Sequence, residues 1–133
     1  MIKNKCYLSN SMISHNISMA KIKKKVICVD IDGTICSQRK FDYENAVPNK
    51  LAISKVNELF EKGATILVYT ARYMGKEKGD IEKVIRNGYS FTYKQLKSWG
   101  LKFHKLKMGK PNYDIIIDDK AYGYNENWID DLK

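Results

Sequence analysis

Asp30 and Asp32 stand two apart in KVICVDIDGTICS, residues 25–37, directly after the apolar run Val26, Ile27, Cys28 and Val29. Residues two apart in an extended chain project to the same side, so these two carboxylates share a face. Gly33 then lets the backbone turn tightly, and Thr34 adds a hydroxyl. Two adjacent carboxylates repel each other, so a site that keeps both ionised calls for a cation. Mg²⁺ suits hard oxygen ligands. Two further apolar stretches end in reactive side chains. ATILVY (64–69) runs into Thr70, Ala71 and Arg72, and YDIII (113–117) runs into Asp118 and Asp119, with Lys110 just ahead of it. Carboxylates, a hydroxyl and an ammonium suit phosphoryl transfer. One carboxylate can attack phosphorus to form an aspartyl-phosphate, a second can move protons, and Lys110 with a metal can offset phosphate charge.

That chemistry requires these chain segments to end at one edge. A continuous apolar run rich in β-branched residues and closed by Gly reads as a strand buried on both faces. Residues 26–29, 64–69 and 113–117 fit this pattern, and 101–106 reads as a further, alternating strand. Parallel strands carry their carboxyl ends to one side, where open α/β sheets bind ligands. SQRKFDYENAVPNK (37–50) reads as a polar connection. Pro48 opens a helix with Leu51, Ala52, Val56, Leu59 and Phe60 on one face, and Gly63 ends it. Residues 73–91 read as a Gly- and Lys-rich flap with one helical turn at 81–85. Thr92 and Gln95 form a capping box for a short helix ending near Gly100, and 125–132 reads as a closing helix. Residues 1–18 read as an irregular arm, and 19–133 as a single catalytic domain.

Composition narrows the class. The chain has 133 residues, enough for one core. Of its net charge of +9, residues 1–25 carry +6, from six Lys and no acid. The remainder is only mildly basic, and no aromatic–basic array accompanies the arm, so a nucleic-acid partner is not expected. No apolar window is long enough for a membrane span and no secretion signal stands at the start. Three scattered cysteines, Cys6, Cys28 and Cys36, suggest neither disulfides nor zinc, and Cys28 reads as a small core residue. A soluble, cytoplasmic protein is expected.

The motifs VDIDGT, VYTAR, GKP and IIIDDKA, in that order across residues 26–120, resemble the haloacid dehalogenase superfamily of Mg²⁺-dependent phosphohydrolases. The segment 92–121 also resembles small members associated with capsule and lipopolysaccharide sugar biosynthesis. The resemblance implies a three-layer Rossmann-like parallel sheet flanked by helices. The gaps between motifs leave room for no cap domain, only a small flap. It implies catalytic roles for Asp30 (nucleophile), Asp32 (acid/base, with a carbonyl on the metal), Thr70 and Lys110. Gly33, Thr34, Ala71 and Arg72 would contact substrate, and Asp30, Asp32, Asp118 and Asp119 would form the Mg²⁺ site. Lys107 competes with Lys110 for the catalytic lysine, either of Asp118 and Asp119 could be the direct ligand, and Arg72 reads equally as a surface residue. The expected substrate is a small sugar phosphate. An open site would select it through the 73–91 flap or a neighbouring subunit, which makes a homo-oligomer one solution. The competing readings are a nucleotide or polynucleotide-end phosphatase and a non-catalytic phosphate- or partner-binding domain.

Overall fold

The computed structural model describes residues 25–132; the expected N-terminal arm, residues 1–18, lies outside them. The described chain runs β1 (Val26–Val29), β2 (Cys36–Ser37), a 3₁₀ turn (Tyr43–Asn45), β3 (Val47–Pro48), α1 (Lys50–Glu61), β4 (Thr65–Thr70), α2 (Ile81–Ser98), β5 (Lys105–Met108) and α3 (Trp128–Asp131). It is an α/β fold in which a three-stranded parallel sheet, ordered β1–β4–β5, is flanked by helices. β4 is central, and its Ile66, Val68 and Thr70 are buried on one face.

Local chemistry explains most boundaries. Asn49 starts α1, its side chain accepting from the Ala52 N–H at 3.1 Å. α1 buries Ala52, Ile53, Val56 and Leu59. Leu51, expected on that face, is exposed instead, and Pro48 precedes the helix, paired with Cys36 in the β2–β3 hairpin. Gly63 ends the helix at φ +95, where the N–H groups of Gly63 and Ala64 donate to Phe60 O and Leu59 O. The connection at 37–50 is therefore a small hairpin with a 3₁₀ turn rather than plain polar loop.

Four expectations are corrected. First, residues 81–98 form one continuous helix capped by Asp80, so the helical part of the expected flap and the short helix after it are a single element. The capping box at Thr92 and Gln95 does not start a helix. Both residues lie mid-helix, where Val84, Gly88, Thr92 and Leu96 make one buried stripe at four-residue spacing. Gly88 belongs to this stripe because a Cβ there would sit 2.3 Å from Cδ2 of Tyr73. Second, the strand expected at 101–106 is shifted to Lys105–Met108, with Leu101 and Phe103 buried ahead of it. Third, residues 113–117 form no strand. Residues 111–120 are all exposed, Ile115 at 81% and Ile117 at 96%. Fourth, β1 is not buried on both faces as expected but lies at the edge of the sheet, because no described strand pairs with its outer side. Val26 and Cys28 are accordingly exposed, so Cys28 is not a core residue. The closing helix is a single turn, anchored by the buried Trp128.

Trp99 is packed against the core, while Tyr93 stacks on Tyr89 and meets Phe103 edge-on. His104 is structural: its Nδ1 accepts from the Ile66 N–H at 3.0 Å and its ring stacks on Phe60. Among the described residues, no helix is long and apolar enough to cross a membrane.

Candidate active site

Parallel pairing brings three chain ends to one edge. The register Val29–Val68 places Asp30 just past the end of β1, beside the end of β4. The register Thr70–Met108 aligns β4 with β5, and the Lys110 N–H donates to Thr70 O at 3.1 Å, carrying the contact beyond the strand. Lys110 Nζ then lies 3.5 Å from Asp30 Oδ1. Lys107 instead sits over the Tyr69 ring, so Lys110 is the lysine that reaches the carboxylate. The Thr34 hydroxyl lies 3.4 Å from Asp30 Oδ2.

Between Asp30 and Cys36 the chain turns sharply. Gly33 takes φ +84 and its N–H donates to Cys36 O, while the Thr34 and Ile35 N–H groups both donate to Ile31 O. A left-handed φ at this point favours glycine.

Arg72 is no surface residue: its side chain is completely buried, at the border of the cavity. Its Nε and Nη2 donate to the two oxygens of Asp32, each at 2.9 Å, a bidentate pair. Nη1 donates to Gln95 Oε1 at 2.7 Å, and Gln95 Nε2 donates to Tyr43 O at 2.6 Å. The guanidinium also lies over the Tyr43 ring, 4.6 Å from its centroid. One side chain thus ties the end of β1, the end of β4, α2 and the hairpin. The buried Thr70 hydroxyl accepts from the Arg72 N–H at 3.1 Å, fixing the turn that aims Arg72 inward.

Burial pushes the Asp30 carboxyl above its ordinary range, against the pull of Lys110 and the Ile31 N–H. Burial acts to lower Lys110, but Asp30 and Tyr113 outweigh it and the ammonium is held above its usual value. The Cys36 thiol is pushed up to about 12 by burial and by Asp32, to whose Oδ1 it donates at 3.4 Å.

These groups open into a cavity of about 880 Å³. Asp30, Asp32, Thr70, Ala71, Arg72 and Lys110 line it, whereas Gly33 and Thr34 do not. Its wall also holds Phe41 and Tyr43, from the segment expected to be a polar connection, and Tyr73, from the start of the expected flap. Three aromatics within FDYEN and ARY were the available signal.

Asp118 and Asp119 do not line the cavity. They lie in the exposed 111–120 stretch, where Asp118 accepts from the Lys120 N–H in a local turn. Among the described residues no group of three or more His, Cys, Asp or Glu is arranged to hold a metal ion. Asp30 faces an ammonium and both oxygens of Asp32 face a guanidinium. The residues as placed therefore do not fit a Mg²⁺ site, which needs several open oxygen donors.

The fold and site define an α/β protein with a carboxylate–lysine pair at the carboxyl edge of its parallel sheet. No protein-family model matches the chain, and no curated protein does. Among solved structures, a structural-genomics target from Vibrio cholerae is similar, at 26% identity and a TM-score of 0.68, over 80% of this chain and 94% of that one.

Proposed function

We propose that the chain is a phosphomonoester hydrolase of the haloacid dehalogenase type, acting through an aspartyl-phosphate on a small sugar phosphate of surface-polysaccharide biosynthesis in the cytoplasm. The observation that carries the reading is the Asp30–Lys110 pair at 3.5 Å, beside Thr70, at the sheet edge and in an open cavity. In this reading Asp30 attacks phosphorus and the alkoxide leaves. Lys110 offsets the charge on the phosphoryl oxygens and keeps the nucleophile in place. The Thr70 hydroxyl hydrogen-bonds a phosphoryl oxygen. Asp32, oriented by Arg72, serves the leaving group and then the attacking water as proton carrier. Water then hydrolyses the acyl-phosphate and restores Asp30. The three-layer capless architecture and the homo-oligomer rest on the sequence motifs, and the Mg²⁺ those motifs imply meets no fitting donor set among the described residues.

The test is phosphate release from a panel of sugar phosphates and nucleotides, with Mg²⁺ or with EDTA, on wild type and Asp30→Asn. The expected outcome is turnover that falls by about 10³-fold or more in Asp30→Asn, the scale seen when a nucleophile is removed. Turnover indifferent to Asp30→Asn sinks the mechanism, and turnover unaffected by EDTA removes Mg²⁺ from it.

A further inference from the structure

Part of the cavity wall carries an aromatic ladder. Phe41 and Tyr43 meet edge-on with centroids 6.4 Å apart, and Tyr43 and Tyr73 lie 5.1 Å apart at a tilt. Phe41, the outermost, is 73% exposed. A lone exposed aromatic needs no explanation, but this one is held in place. Lys40 and Phe41 adopt φ +42 and +68, and Tyr73 adopts φ +69, a left-handed conformation that bulky residues rarely take. Hydrogen bonds brace the strained turn. The Phe41 N–H donates to Gln38 Oε1 at 2.7 Å, the Asp42 N–H to Arg39 O at 2.8 Å, and the Tyr43 N–H to Phe41 O at 3.0 Å. Strain of this kind collects at ligand clamps.

We propose that Phe41 is a specificity-determining residue that stacks on the apolar face of a pyranose ring whose phosphoryl group sits at Asp30 and Lys110. The inference rests on the phosphohydrolase reading and adds the class of ring and the residue that selects it. The polar groups beside the ladder decide between a sugar and a nucleobase. Gln38, Asp42, Glu44 and Asn112 line the same cavity. A pyranose offers an apolar C–H face to an aromatic and a rim of hydroxyls that carboxylates and amides bind. The braced backbone of the turn loses little freedom on binding, which leaves more of the ring contact for selection.

The test compares wild type, Phe41→Ala and Phe41→Tyr on glucose 6-phosphate and mannose 6-phosphate, on nucleoside 5′-monophosphates, and on acetyl phosphate, which has no ring. In Phe41→Ala, the kcat/KM for the pyranose phosphates relative to acetyl phosphate should fall about tenfold or more, through KM. Phe41→Tyr should restore it. An unchanged ratio overturns the inference. So does a best substrate that is a nucleoside monophosphate and whose ratio falls instead. If no phosphate ester turns over, the hydrolase reading fails separately, and calorimetric titration with glucose 6-phosphate decides this one. Binding weakened about tenfold in Phe41→Ala supports it; equal binding, or none to wild type, overturns it. Circular dichroism checks that the exposed substitution leaves the fold intact.

Discussion

At the residue scale, each of the two carboxylates is matched to its own cation. Asp30 pairs with Lys110 through a longer, half-open contact, while Asp32 is gripped by a buried Arg72 at two points. The first carboxylate can be approached, and the second is oriented. The motif spacing at Asp30 and Asp32 foretold two carboxylates on one side, but nothing in VYTAR said that its arginine would turn inward to hold one of them. Cys36, beside Asp32, gives a clean test of this surrounding. Its thiol stays protonated in the folded chain up to about 12 and ionises from about 9.0 when unfolded. Between those values the folded state holds more protons, so stability falls as pH rises. Wild type should therefore lose more stability than Cys36→Ala between about pH 8 and about pH 10.5 in chemical denaturation. Equal losses would mean that the thiol does not sense this site. Iodoacetamide at about pH 8 should label Cys36 slowly in the native chain and quickly in denaturant, since only the thiolate reacts.

At the scale of elements, α2 meets the hairpin and site through Tyr73 and Gln95. Gly88 is the point of closest approach. An alanine there would gain about 1 kcal/mol of helix propensity. Its Cβ, however, would lie 2.3 Å from the Tyr73 ring, and such overpacking costs about 1–3 kcal/mol. The overpacking outweighs the propensity, so Gly88→Ala should destabilise the protein in urea titration. Adding Tyr73→Ala removes the clash, and the two substitutions together should be less harmful than the sum of each alone. Strict additivity would show that the ring moves aside freely. The α2 helix also shows why the capping box misled: Thr-x-x-Gln marks a helix start only when the preceding turn is not already helical. Here Asp80 supplies an earlier cap, and a four-residue apolar stripe continues through Gly88.

At the scale of the whole molecule, the chain divides into a packed body and an exposed stretch. The core gathers β1, β4, β5, α1 and α2, and Trp128 returns to it after residues 111–120, which are exposed throughout. Exposed segments without secondary structure are where proteases cut. Limited chymotrypsin digestion should cleave at the exposed aromatics outside the regular elements, Tyr113 in this stretch, Tyr124 just after it and Phe41 in the hairpin, ahead of any bond in β4 or α2. A first cut inside α2 would contradict this division.

The sequence by itself determined an α/β fold, the strands at 26–29 and near 64–69, the helix that Gly63 closes, and the meeting of Asp30, Thr70 and Lys110. These follow from local physics: apolar runs, caps, glycine at positive φ, and the fact that parallel strands share an end. Tertiary structure alone decided the rest. It made β1 an edge strand, left the 113–117 isoleucines and Asp118 and Asp119 outside the cavity, buried Arg72 against Asp32, and raised an aromatic wall from a segment that reads as polar linker. An apolar run states that burial is favourable, not which strand will provide it. An arginine states a charge, not its partner. Both are settled only by which surfaces the fold brings together.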